Sequence, residues 1–197
     1  MSAARRLGRL LFFVVRFLVL AVVLVVGWWA MVPYYGWLIA QISGSIAHFA
    51  LGMKIFAVGY ILEPETVLNT GTRIFFQVPA PDKPYAQLEM PVALLVTNLA
   101  PYVALVLASA GLALRRRIMV LLYGCSIIIG GHILFITILL RFQDALKQHS
   151  EIATSTIQLF LVMPVILWVW FVYSEQIGAY LEEAEQAKTA PGGKKDQ

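Results

Sequence analysis

The chain has 197 residues, 60% hydrophobic and only 13% charged, with a formal net charge of +4. A soluble domain carries roughly twice that charged fraction, so composition excludes an ordinary water-soluble globule and points to an integral membrane protein. The single cysteine excludes an intramolecular disulfide and a cysteine-rich metal site. Basic residues collect at the two ends and in one short loop, which does not form a nucleic-acid-binding surface.

Arg5, Arg6 and Arg9 precede an apolar run at residues 10–32, LLFFVVRFLVLAVVLVVGWWAMV. About 20 apolar residues cross the ~30 Å hydrocarbon core, and this run exceeds a signal-peptide core. Trp28, Trp29, Pro33 and Tyr34 follow it instead of a small-residue cleavage site. The run is therefore expected to be an uncleaved span with a cytoplasmic N-terminus and aromatic residues at its outer end. Arg16, near the cytoplasmic end, can snorkel to the interface.

Residues 34–55 carry Leu38, Ile42, Ile46, Phe49 and Met53 at three- and four-residue steps, interrupted by Gln41, Ser45, His48 and Lys54. That spacing predicts a separate amphipathic helix lying on the outer surface, with His48 on its polar face. In residues 56–90, FAVGYILEPETVL and TRIFFQV flank Asn69-Thr70-Gly71 and predict a small β-hairpin. The proline-rich PAPDKPYAQLEMP after it is expected to be irregular.

Three further spans are predicted at 91–114, 118–140 and 156–174, the last with Pro164 as a kink. Arg115, Arg116 and Arg117 are expected in a tight cytoplasmic loop between the second and third spans. The expected fold is an all-α integral membrane protein with four transmembrane helices, an outer amphipathic helix and a small hairpin. Residues 1–181 form the membrane domain and 182–197 a disordered tail. Both termini would be cytoplasmic in a bacterial inner membrane, with residues 33–90 and 141–155 outside.

Cys125 and His132 are seven residues apart and share a helix face, which raises the question of a cysteine–histidine site. Two helical turns separate them by ~10 Å, whereas a nucleophile and its base need ~2.6–3.2 Å. Cys125 is read as a small hydrophobe. His132 is costly inside a span and follows Gly130 and Gly131, where a neighbouring helix can approach. Its depth matches that of Asn98, so Asn98 or Thr97 is the expected hydrogen-bond partner. One mid-membrane histidine is half of a bis-histidine haem site. No metal-ligand cluster or phosphate-binding loop is visible, and no cofactor is expected.

The order of an N-terminal span, an outer amphipathic helix, a hairpin and a helical bundle with an arginine-rich inner turn resembles the exosortase/archaeosortase superfamily of membrane transpeptidases. That family places a catalytic cysteine in a Cys-Ser-Gly or Cys-Asn-Gly context after the hairpin. Here the position reads VTNLAPY, residues 96–102, and Cys125 lies on a different helix. The family's catalytic residues do not carry over. A closer resemblance is to the small accessory proteins that accompany exosortase H. It rests on PVALLVTNLAPYVALVLASA, the arginine turn, RFQDALKQ and QLFLVMPVILWVWF. The resemblance implies a non-catalytic partner of an exosortase-like transpeptidase.

Ala100, Ala104, Ala108 and Gly111 mark a helix-contact face, for such a partner or for the chain's own bundle. A second reading is a divergent membrane enzyme using His132 and Asn98 with an outer charge, Arg141 or Asp144. A third is a small subunit of another membrane complex; transport is disfavoured because no span carries a central carboxylate. The lipid bilayer is the one certain partner of such a sequence, and the oligomeric state is left open.

Overall fold

Residues 17–53 contain no Asp, Glu, Lys or Arg, and they lie within one helix, α1, over Ala3–Leu51, and its C-terminal cap. The structure is a computed structural model that describes residues 3–62, 72–80, 83–91, 98–142 and 160–173. The separate outer helix expected after residue 33 is thus corrected: it continues the first apolar helix through Pro33. Proline removes one backbone hydrogen bond. Ending the helix there would free up to eight backbone groups in an apolar setting, which costs far more. α1 ends where Gly52 takes φ 66 and the Met53 N–H donates to the Ala47 carbonyl at 3.0 Å.

A three-stranded antiparallel sheet follows, ordered β1 (Ala57–Leu62), β2 (Thr72–Val78), β3 (Ala86–Pro91). β1 and β2 pair as the expected hairpin, with Ala57 opposite Gln77 and Leu62 opposite Thr72. The predicted turn at residues 69–71 lies outside the described residues. The third strand corrects the expectation that 79–91 is irregular. Its prolines fall at the ends: Pro79 and Pro84 sit outside the strands and Pro91 closes β3, where edge strands tolerate them.

Two shorter apolar helices, α2 (Leu99–Ala108) and α4 (Phe160–Tyr173), flank the long α3 (Leu114–Arg141). Among the described residues, α1 and α3 are the two helices long and apolar enough to cross a membrane. Residues 92–97 and 156–159 of the predicted second and fourth spans lie outside the described residues, as do 143–155 and 174–197. The chain turns between α2 and α3 through Gly111 at φ 83. Arg115, Arg116 and Arg117 therefore belong to the first turn of α3, not to a loop. Arginine is a good helix former, and the five residues before it complete the turn.

Contacts fix the helix directions. Trp168 stacks on Phe13 and bonds Ser109, whose carbonyl accepts from Arg117. Tyr35, Asn98, His132 and Phe160 meet farther along. Hence α1 and α3 run one way, and α2 and α4 run the other. Alternating Ile74, Phe76 and Val78 of β2 bury against Ile39, Ala40 and Ala47 of α1 and Phe135, Ile136 and Leu140 of α3. A second core joins Leu99, Tyr102 and Val106 of α2 to Val120 and Ile128 of α3 and Val172 of α4.

Candidate functional site

α3 brings His132 to the centre of the bundle with 0% exposure. The preceding Gly131 makes this possible: a Cβ there would lie 3.0 Å from the Phe160 ring, so α4 approaches on the glycine side. Gly130 is exposed with open space beside it, so it is not part of this contact.

The hydrogen-bond partner of His132 is Tyr35, with the hydroxyl 2.8 Å from Nδ1. This corrects the expected pairing with Asn98 or Thr97. Asn98 is buried, but its Nδ2 donates to the Phe160 carbonyl at 3.2 Å; Thr97 lies outside the described residues. The matched depths do hold in one respect: His132 and Asn98 both flank Phe160, whose ring centroid is 5.4 Å from that of His132. Tyr35 escapes the sequence reading because residues 34–55 are expected to form a separate surface helix, away from the bundle. The signal was present in Trp28, Val32, Tyr35 and Ile39, whose steps of four, three and four place them on one helix face.

The Trp28 ring lies 5.1 Å from Tyr35 and completes an aromatic wall. Three buried atoms of this node have no hydrogen-bond partner among the described residues: His132 Nε2, Asn98 Oδ1 and Trp28 Nε1. Among the described residues the node offers one imidazole held by a phenol, and one amide. Cys125 lies two turns away and is half-buried. Arg141 stays at the end of α3 with its guanidinium 5.7 Å from the Phe142 ring, and Asp144 is outside the described residues.

No family model, curated protein or solved structure matches the chain.

The remaining predicted residues divide clearly. Ala100, Ala104 and Ala108 are buried inside the bundle, where α2 packs on α1 and α3. Gly111 is off that face, exposed in the turn. Arg5, Arg6 and Arg9 fall in the first turns of α1. Arg117 has a structural task as well as a charge: it donates to the Ser109 carbonyl at 2.8 Å, while Trp168 Nε1 donates to Ser109 Oγ at 2.8 Å. Sequence reasoning also missed Tyr102 and Gly124. The Tyr102 hydroxyl donates to the Val120 carbonyl at 2.6 Å and lies where a Cβ on Gly124 would be.

A second feature sits where α1 meets β1. Gln41, Gly44, Ser45 and His48 line a cleft of about 240 Å³ with Phe49 and residues 55–58. His48 Nδ1–H donates to the Met53 carbonyl at 2.9 Å, so Nε2 is the accepting nitrogen of the neutral ring. Among the described residues no three His, Cys, Asp or Glu side chains gather as a metal site.

Proposed function

We propose that the chain is a non-catalytic, four-span protein of the bacterial cytoplasmic membrane that serves as an accessory partner in an exosortase-type protein-sorting system. The observation that carries the membrane part is the distribution of apolar surface. Leu18, Val22 and Val26 of α1, Leu122 and Leu134 of α3, and Leu161 and Val165 of α4 are all exposed. Ser43, Asn98, Ser109, His132 and Thr137 turn inward, while Ser126 of α3 is exposed. Water would not stabilise such an outside, and a bilayer does. Residues 91–114 and 156–174 are read as the two spans of which α2 and α4 are the described parts.

The accessory role is supported by the order of parts and by the closed node. His132 is held by Tyr35 and covered by Phe160. Gentle solubilisation of a tagged chain from its native membrane, followed by identification of co-purifying proteins, tests the role. Recovery of a membrane transpeptidase or its sorting-signal substrates is the expected result. Recovery of this chain alone would overturn it.

One observation favours the enzyme reading instead: among the described residues, His132 Nε2 and Asn98 Oδ1 both lack a hydrogen-bond partner beside Phe160. On the accessory reading, His132→Ala reduces stability and leaves co-purification intact in the surviving protein. Loss of a sorting phenotype at full protein abundance would support a reactive histidine.

A further inference from the structure

We infer that the outer half of α1, residues 34–49, lies along the outer boundary of the bilayer, with Leu38, Ile42, Ile46 and Phe49 in the acyl chains and Gln41, Ser45 and His48 at headgroup level. This deepens the membrane reading above and rests on it.

The first support is depth. The apolar part of α3, residues 118–140, rises ~34 Å, close to the ~30 Å hydrocarbon core. Phe135, Ile136 and Leu140 therefore lie in the outer leaflet. These residues share one core with Ile39, Ala40 and Ala47 of α1. The outer half of α1 is thus at leaflet depth, although it lies beyond the ~20 residues that suffice for a crossing.

The second support is direction. Tyr35 and Ser43 are eight residues apart, or ~12 Å along α1. Yet Tyr35 bonds His132 and Ser43 donates to the carbonyl of the next residue, Ile133, at 3.3 Å. A helix running alongside α3 would spread these partners over a similar length. A bend of α1 at Pro33 that carries its outer half obliquely across α3 accounts for this, and it turns that half toward the membrane plane.

The third support is the free face. Leu38, Ile42, Ile46 and Phe49 repeat at steps of four, four and three and are all exposed, Phe49 at 83%. The opposite face, Ile39, Ala40, Ser43 and Ala47, is buried against the sheet and α3. Tyr34 and Trp37, both exposed, begin the segment, as aromatic residues do at an interface. The first charge after Arg16 is Lys54. The free face also continues the exposed apolar surface of the first part of α1, so a lipid partner needs no new interface. Gln41, Ser45 and His48 sit one position before Ile42, Ile46 and Phe49, which places the polar cleft beside the apolar stripe. That is the two-sided pattern of a helix seated in an interface.

Site-directed spin labelling in liposomes tests this. In a Cys125→Ala background, nitroxides are placed by Leu38→Cys, Ile42→Cys, Ile46→Cys and Phe49→Cys, all at exposed positions that tolerate a label. Lys83→Cys, in the exposed connection between β2 and β3, gives the water reference. Val19→Cys and Val22→Cys report the crossing segment. The expected result is a ratio of oxygen to nickel-chelate accessibility several-fold above the Lys83 reference at all four sites, with nearly equal depths. Nickel accessibility like that of the Lys83 site would overturn the inference. So would low accessibility to both reagents, which would mean a protein partner or a second copy. If the Val19 and Val22 sites also read as water-exposed, the membrane reading itself fails; if they read as lipid, only the present inference does.

Discussion

Gly124 and Gly130 lie six residues apart on α3 and make opposite demands. Gly124 is buried beneath the Tyr102 phenol, which is fixed by its hydrogen bond to Val120 one turn earlier. A methyl group there forces the ring or the helix to move, and overpacking of this kind costs about 1–3 kcal/mol. Gly130 has open space around it, so Gly130→Ala gains helix propensity of up to about 1 kcal/mol at no steric cost. Thermal unfolding in detergent should therefore show Gly124→Ala less stable and Gly130→Ala equal or more stable than the parent. Two variants destabilised alike would contradict the α2–α3 contact. The sequence marked Gly130 and Gly131 because they are adjacent, and only Gly131 proved to be a contact. Gly124 gave no such signal, since the tyrosine that requires it is 22 residues away. Pairings between distant helices are invisible to spacing rules, which is also why His132 was matched to Asn98 rather than Tyr35.

At the scale of elements, apolar runs and strand composition were legible because each is a local property. The apolar run at 118–140 lies within α3, which starts four residues earlier, and the two β-rich runs pair as β1 and β2. Two expectations fail at prolines. The change from an apolar run to an amphipathic one predicts a new helix from residue 34, whereas a helix in an apolar setting loses less by carrying Pro33 than by stopping. The prolines at 79–91 were read as excluding a strand, although they cluster outside and at the end of β3. Continuity of α1 has a measurable consequence. Val23 and Ile42 are exposed on either side of Pro33, and 19 residues of helix separate their backbones by about 28 Å. Pulsed electron–electron resonance between spin labels at these positions should give a single narrow distance, shortened below that straight-helix value by the bend at Pro33 that lays the outer half of α1 along the bilayer boundary. A broad distribution would restore two helices joined by a flexible link at Pro33.

On the scale of the whole molecule, the proposed sidedness rests on arginines placed against the helix dipole. Arg115, Arg116 and Arg117 occupy the first turn of α3, where a positive charge opposes the positive end of the helix by about 0.3–1 kcal/mol each. Helix stability does not account for three of them there. The proposed topology does, because basic residues beside short loops are retained on the cytoplasmic side. Arg5, Arg6 and Arg9 in the first turns of α1 act in the same sense, since α1 and α3 run in the same direction. Arg117 differs from its neighbours in also clasping Ser109, so Arg117→Gln should lower stability while Arg115→Gln should not. For topology, a Lys83→Cys variant in a Cys125→Ala background should react with a membrane-impermeant maleimide in spheroplasts. An Arg115→Cys variant should react only after the membrane is opened. Replacing all six arginines with glutamine should produce mixed labelling at position 83, because the bias from both ends of the bundle is removed together. Protection of position 83 in the parent background would invert the topology, and with it the assignment of the sheet to the outer face.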